Sequence, residues 1–374
     1  MFCVQLNAGV HTLGLPLVVV LMTSLSFVVR ATRPGSVLSI DTTDAAVQWR
    51  VSNGSENYLP IVLWHGMLFI TFFCQIWSTG QWSTLNDLDS YRTGMGDTCC
   101  DAKSIGGIRN HIESRYPGIV VHSIALGKSR PADLIYGYFG SLNSQLNKVC
   151  NQLLEMRQLE RGFVGIGFSQ GGQFFRALVQ RCQGRGLNVH SLITLGSQHQ
   201  GIMDVPGCRE SKLSILCRAM QSVLGVGAYL PGVQSFSVQA QYFKDPYRLD
   251  VYAHRSGFLA DINAEADPPL HSVYSQYRQN LASLKKLVLF QFEEDDMVVP
   301  KESAHFGFFD GNRMIPVDET RMWIEDTIGL RMLHEKGALI FDFAPGRHMQ
   351  FSLDWFDSNV IQPYALVHEN INPA

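Results

Sequence analysis

The sequence has 374 residues, with 30 lysines and arginines against 33 aspartates and glutamates, and a formal net charge of −3. A charge this close to neutral, without any basic tract, gives no electrostatic basis for binding nucleic acid. Hydrophobic residues make up 46% of the chain and charged residues 17%, which is typical of a globular protein that buries a core. The length fits one large α/β domain or two ordinary ones.

The N-terminus carries a continuous apolar segment, Leu13 to Val29, which Arg30 ends. It lacks the basic start of a usual signal peptide and is short for a membrane-spanning helix. We interpret residues 1–30 as a cleaved secretory signal peptide, with a signal anchor as the alternative and a buried core helix as a third reading. Cleavage would place the protein in the secretory pathway without a stable membrane span.

Residues 31–58 are polar, without a clear period, and are interpreted as a linker. The tripeptide Asn53-Gly54-Ser55 within them is a glycosylation acceptor sequence, which makes Asn53 the candidate glycosylation site.

The first strand pattern is Leu59 to Trp64, and it runs directly into His65-Gly66-Met67. In α/β-type hydrolases the loop after an early strand supplies one backbone N–H of the oxyanion hole, and the residue after the nucleophile supplies the other. The candidates are Met67, in this loop, and Gln170, which directly follows the candidate nucleophile Ser169.

Residues 68–94 interrupt that loop. Gly-Met pairs stand on both sides, as Gly66-Met67 and Gly94-Met95, and removing Met67 to Gly94 would leave an uninterrupted WHGMGDTCC. Its apolar run LFITFFCQIW has no evident place to bury itself in a short loop. We hypothesise that 68–94 is an insertion, such as translated intervening sequence.

Helix and strand patterns then alternate along the chain. A helix is predicted over 104–116, a strand over 119–125, a helix over 142–159 and a strand over 189–195. The alternation breaks into short aromatic-rich pieces over 203–277, interpreted as an inserted helical and loop cover region, and returns with strands over 284–292 and 338–343 and a closing helix that begins at Ser352. This alternation predicts an α/β fold with a mostly parallel central sheet and helices on both faces.

The strongest motif is Gly167-x-Ser169-x-Gly171, which lies between a buried strand pattern over 163–168 and a helical one after it. A serine on a sharp turn between strand and helix has its hydroxyl exposed, which predicts a nucleophile elbow at Ser169.

A serine nucleophile needs a histidine base and an acid, in the chain order Ser, Asp or Glu, His. Asp295 and His348 satisfy that order, and each follows a predicted strand. The acid is ambiguous, because Glu293, Glu294 and Asp296 are its neighbours. The competing histidines are His199, His305, His334 and His368.

Eight cysteines are present, and none has the CxxC spacing of a zinc site, so neither a metal nor another cofactor is predicted. In a secreted chain they predict disulfides.

Several motifs together resemble the palmitoyl-protein thioesterases of the lysosomal, soluble type: WHGM with GDTCC, GFSQGGQF, GSQHQG, HRSGFLADIN and RHMQF. The likeness covers about Leu59 to Tyr364 apart from the insertion. It implies an α/β-hydrolase fold over 59–366, with 367–374 as a tail, and removal of fatty acyl groups from cysteine thioesters. The implied substrates are S-palmitoylated proteins or peptides and fatty acyl thioesters. The implied location is the lysosome, with secretion from the cell as the alternative.

The same resemblance assigns residues by position. It implies Ser169 as nucleophile, Asp295 as acid and His348 as base, with Gln170 and either Met67 or Met95 as oxyanion donors. The implied disulfides are Cys99–Cys100, Cys150–Cys182 and Cys208–Cys217, which leave Cys3 in the leader and Cys74 in the insertion.

Two other functions remain open on the sequence. A lipase or carboxylesterase acting on oxygen esters would use the same residues. A catalytically impaired hydrolase-fold protein is the second alternative, because the insertion falls within the oxyanion loop, where loss of one donor costs on the order of 10²–10³ in rate.

Overall fold

The computed structural model describes residues 58–66, 90–92, 99–101, 104–204 and 227–368. All of these belong to one compact unit, Val51–Ala374. Several sequence predictions lie outside the described residues: the signal peptide, Asn53, Met67, Met95, the Cys208–Cys217 pair, most of the predicted insertion and the end of the tail.

A six-stranded sheet forms the centre of the molecule. Its strands are β1 (Ile61–Trp64), β3 (Val121–Ser123), β4 (Phe163–Phe168), β5 (Val189–Leu195), β6 (Lys286–Phe292) and β9 (Leu339–Ala344). They lie side by side in the order β3-β1-β4-β5-β6-β9. Every pairing within it is parallel. All six carboxyl ends therefore meet at one edge, where open α/β sheets place their sites.

Two antiparallel pairs lie outside this sheet. β2 (Ser90–Arg92) pairs with β10 (Gln350–Ser352), and β7 (Phe308–Phe309) pairs with β8 (Met314–Ile315). The last described residues of the predicted insertion are thus hydrogen-bonded to the strand that follows His348.

Twelve α-helices are described, most of them short. They are α1 (Ile105–Arg115), α2 (Arg130–Tyr136), α3 (Leu142–Leu154), α4 (Gln170–Cys182), α5 (Pro231–Phe236), α6 (Val238–Gln241), α7 (Leu249–Arg255), α8 (Leu259–Ile262), α9 (His271–Ala282), α10 (Arg321–Ile324), α11 (Leu330–Glu335) and α12 (Leu353–Phe356). A π-helical segment, Asp357–Ala365, follows α12. Within the described ranges, none of the helices combines the length and hydropathy that a bilayer crossing requires.

The sheet buries both faces because successive side chains of a strand point to opposite sides. On β1, Val62 and Trp64 join the apolar cluster that includes Phe174 and Phe175 of α4, while Ile61 and Leu63 join the opposite cluster. That second cluster contains Ile105 and Ile108 of α1 and Phe356 of α12. The predicted sheet with helices on both faces is confirmed.

Element boundaries differ modestly from the predictions. The helix predicted over 142–159 ends at Leu154, and Arg157–Leu159 forms a separate 3₁₀ turn. A disulfide joins Cys150 of α3 to Cys182 of α4, and a second joins Cys99 to Cys100. Within the predicted cover, the described part consists of α5 to α8 and the start of α9, which continues past residue 277 to Ala282.

Candidate active site

Ser169 lies at the junction of β4 and α4 in a strained backbone conformation, with φ 51°. A non-glycine residue at positive φ costs free energy and persists only where its surroundings enforce it. The surroundings here are tight: a Cβ on Gly171 would lie 2.3 Å from the Trp64 carbonyl oxygen, and one on Gly167 would lie 2.3 Å from the Cα of Gly172. The glycines of the motif are therefore required by close backbone packing around the turn.

His348 contacts Ser169 directly. Its Nε2 lies 2.9 Å from the Ser169 Oγ. His348 follows the carboxyl end of β9 in the chain, as Ser169 follows that of β4. The side chain is 4% exposed, so the hydrogen bond between serine and histidine is shielded from solvent.

Asp295 completes the chain of hydrogen bonds. Its Oδ2 lies 2.7 Å from His348 Nδ1, and its Oδ1 accepts from the backbone N–H groups of Met297 and Val298, each at 2.9 Å. Because a carboxylate only accepts, His348 Nδ1 must carry a proton, which leaves Nε2 free to accept the serine proton. The neighbouring Asp296 instead forms an ion pair with Arg347.

Gln170 begins α4, so its backbone N–H is one of the helix-terminal donors without an intrahelical partner. Its side chain is fixed from two sides: Nε2 donates to the Gly137 carbonyl at 3.3 Å, and Oε1 accepts from the Tyr242 hydroxyl at 3.0 Å. The start of a long helix is a favourable environment for a developing negative charge. The other predicted donors, Met67 and Met95, lie outside the described residues.

Two aromatic residues of the predicted cover, Tyr242 and Phe236, differ in environment. Tyr242 is 1% exposed and its hydroxyl bonds to Gln170, whereas Phe236 is 60% exposed and packs against Phe139. Tyr242 therefore holds the Gln170 side chain from the interior of the protein, whereas Phe236 presents its ring at the surface.

The competing histidines lie elsewhere. His305 Nε2 bonds to the Leu289 and Asp342 carbonyls, both at 3.0 Å, and burial lowers its pKa. His334 packs on Trp323 and His368 on Tyr58. His199 is fully buried and bonds to Thr194. None of the four takes part in the Ser169–His348–Asp295 chain.

One pair at the site was not anticipated from the sequence: His65 and Asp133, whose Nε2 and Oδ2 atoms lie 3.2 Å apart. No local pattern links residues 68 positions apart, so no sequence signal identified the pair. Among the described residues, no group of three or more histidines, cysteines or carboxylates is arranged to hold a metal ion.

Comparison with known proteins agrees with this architecture. Residues 60–348 match the sequence model of the family described as palmitoyl protein thioesterase. Palmitoyl-protein thioesterase 1 of Caenorhabditis elegans is 40% identical over 72% of this chain and 89% of its own. A palmitoyl-protein thioesterase-dolichyl pyrophosphate phosphatase fusion of Schizosaccharomyces pombe is 31% identical over 87% of this chain, which spans 46% of that protein.

A lysosomal thioesterase of Homo sapiens is 33% identical over 50% of this chain and 59% of its own. Among solved structures, a type II thioesterase of the yersiniabactin pathway covers 80% of this chain and 88% of its own at 12% identity, with a TM-score of 0.35, a likeness that supports no functional argument. The family match spans most of the chain, and the chain belongs to the palmitoyl protein thioesterase family, a family of thioester hydrolases.

Proposed function

We propose that this enzyme removes long-chain fatty acyl groups, palmitoyl in particular, from S-acylated cysteines, with Ser169 as nucleophile, His348 as base and Asp295 as acid. The observation that carries the proposal is the position of His348, which bonds to Ser169 Oγ at 2.9 Å and to Asp295 Oδ2 at 2.7 Å. Among the described histidines, it alone joins a strained serine to a buried carboxylate.

In the acylation step, His348 Nε2 takes the Ser169 proton while Oγ attacks the thioester carbonyl carbon. The tetrahedral intermediate collapses, the C–S bond breaks, and the imidazolium returns the proton to the leaving cysteine thiolate. The product is a palmitoyl ester on Ser169 together with the free thiol of the substrate.

In the deacylation step, His348 takes a proton from water, whose oxygen attacks the Ser169 ester. As the second intermediate collapses, the bond between the acyl carbon and Ser169 Oγ breaks, and His348 Nε2 returns its proton to Oγ, which releases the fatty acid and restores the serine hydroxyl. Asp295 accepts from His348 Nδ1 throughout, so it holds the ring in the required tautomer and stabilises the imidazolium.

The oxyanion of both intermediates would be bound by the backbone N–H of Gln170. We propose that Met67 or Met95 supplies the second donor, from the segment that follows His65-Gly66. Fixing the Gln170 side chain between Gly137 and Tyr242 supports this role, because a preorganised donor costs no reorganisation during the reaction.

We further propose that the enzyme acts in the lysosome after secretory-pathway entry. Four relatives in fly and mammals are named lysosomal thioesterases, and the two disulfides fit an oxidising compartment. In this proposal, residues 1–30 are removed, 59–366 form one hydrolase domain, and 203–277 cover the acyl chain.

Two assays test the function together. A palmitoyl thioester peptide and its oxygen-ester analogue are compared, and a fluorophosphonate probe is applied to the wild type and to Ser169→Ala. We expect preference for the thioester and labelling that Ser169→Ala abolishes. A strong preference for simple glycerides would favour a lipase, and an unlabelled, inactive wild type would favour the impaired-hydrolase alternative.

A further inference from the structure

A second buried pair, His65 and Asp133, lies behind Ser169. His65 follows β1 and is 5% exposed, and Asp133 lies within α2 and is 1% exposed. Ionisable groups are rarely buried to this degree without a specific partner. The pair plays no part in the mechanism derived above, so its burial needs another explanation.

Asp133 binds four donors. Its Oδ1 accepts from the backbone N–H groups of Leu126 at 2.7 Å and Gly127 at 3.2 Å, and its Oδ2 accepts from the backbone N–H of Cys99 at 3.0 Å and from His65 Nε2 at 3.2 Å. Burial alone would raise the pKa of this carboxyl, but the hydrogen bonds and charge of its donors, led by His65, hold the pKa below its usual value. Asp133 is therefore an anion.

His65 faces an acceptor at each ring nitrogen. Its Nδ1 lies 2.9 Å from the Gly66 carbonyl oxygen, and its Nε2 lies against the Asp133 carboxylate. Both acceptors lack a proton, so both nitrogens must donate. A neutral imidazole has a single N–H, and this arrangement therefore requires the doubly protonated ring.

The His65–Gly66 backbone lies directly against the elbow. A Cβ placed on Gly66 would be 2.9 Å from the Ser169 Cβ and 3.5 Å from its Oγ, and one placed on Gly171 would be 2.5 Å from the His65 carbonyl oxygen. A displacement of His65 would consequently move groups that touch Ser169.

We propose that Asp133 is a positioning residue: through a buried ion pair with a doubly protonated His65, it fixes the His65–Gly66 backbone against Ser169. The carboxylate also holds the Cys99 N–H, so one side chain joins the described residues on both sides of the predicted oxyanion loop. The expected rate effect rests on Ser169 being the nucleophile, whereas the protonation state of His65 does not.

The variant Asp133→Asn tests this role. Its amide keeps the shape of the side chain, but an NH₂ group replaces one carboxylate oxygen and would face two donors. Because a misplacement of about 1 Å near the reacting groups can cost on the order of 10² in rate, we expect kcat to fall about a hundredfold with KM little changed.

Asp326→Asn is the matched control. Asp326 is also 1% exposed, forms an ion pair with Arg278 at 2.8 Å, and accepts the Arg331 backbone N–H at 2.9 Å. Its partners belong to α9 and α11, so this variant should lower Tm and leave kcat and KM close to wild type. If Asp133→Asn shows the same pattern as Asp326→Asn, or keeps the wild-type kcat, the positioning role is wrong.

Histidine-ring ¹⁵N NMR of the wild type tests the ion pair without any variant of Asp133. The His65 signals are assigned by their absence from His65→Gln. We expect both ring nitrogens to be protonated at neutral pH, and a single-tautomer spectrum would overturn the pairing. If Ser169→Ala retained full activity, the proposed function would fail while the NMR result still stood, so the two failures are distinguishable.

Discussion

His348 and His199 follow strands that flank β6 on either side, and both side chains are buried, with 4% and 0% exposed. Their partners differ. His348 bonds to a serine hydroxyl and a carboxylate. His199 Nε2 bonds to the Thr194 hydroxyl at 3.0 Å, and its Nδ1 has no hydrogen-bond partner in the part of the chain that the structure describes.

The surroundings of His199 oppose a positive charge. Its ring stacks on Phe306 at 4.7 Å, and its backbone carbonyl accepts from the buried guanidinium of Arg176 at 3.1 Å. Burial, followed by the charge of Arg176, lowers the pKa of His199 well below its ordinary value. Burial and a neighbouring positive charge thus keep His199 neutral, whereas the carboxylate beside His348 would stabilise a charged ring during the proposed reaction.

Substituting His348 and His199 should have very different consequences for activity. His348→Gln removes the proposed base, and we expect kcat/KM to fall on the order of 10⁶-fold, as in other serine hydrolases that lose a triad member. His199→Gln touches none of the reacting groups and should keep kcat/KM close to wild type. Steady-state hydrolysis of a palmitoyl thioester measures both, and equal losses would contradict the assignment of the base.

Substituting the adjacent carboxylates Asp295 and Asp296 should give a smaller but still clear difference in kcat. Asp295→Asn keeps the side-chain shape but favours the wrong histidine tautomer, and kcat should fall about 10⁴-fold. Asp296→Asn breaks only an ion pair whose side chains are 40% and 45% exposed, so we expect a loss of less than about fivefold. A larger loss for Asp296→Asn than for Asp295→Asn would reverse the assignment of the acid.

The smallest effect is a pH dependence of stability. The pKa of His199 lies well below 6.5 in the folded protein, so the unfolded chain binds this proton first as the pH falls. The contribution of the neutral His199 ring to the free energy of unfolding is therefore fully present above pH 6.5. It is lost below that pH, at up to about 1.4 kcal/mol per pH unit.

Urea unfolding measures this dependence when it is repeated at pH values between about 7 and about 5, in steps of about half a pH unit. The free energy of unfolding of the wild type should fall more steeply with acidification than that of His199→Gln. Parallel slopes would mean that His199 titrates normally in the folded protein.

The fold was largely predictable from the sequence, because each strand and long helix shows its own pattern of apolar residues over a short stretch of the chain. The buried run before Gly167-x-Ser169 and the apolar period after it predicted β4 and α4, and the alternation predicted the parallel sheet. The choice among Glu293 to Asp296 could not be made from chemistry alone, since four adjacent carboxyls offer the same groups. In the structure, the backbone N–H groups of Met297 and Val298 bind the Asp295 carboxylate, which also contacts His348.

Other features were beyond local patterns. The helices of the cover, such as α6 and α8, have four residues each, which is too short to show a helical period. The contact of His65 with Asp133 depends on how β1 and α2 pack, and no spacing rule along the sequence encodes it.

Trapping the acyl-enzyme tests the proposed role of Ser169 most directly. The protein is mixed with a palmitoyl thioester, quenched in acid within one turnover, digested and examined by mass spectrometry, with Ser169→Ala treated alongside. We predict a palmitoyl ester on the peptide that contains Ser169 in the wild type and no adduct in the variant. Turnover by Ser169→Ala at the wild-type rate, or an adduct on a different residue, would contradict the role of Ser169 as nucleophile.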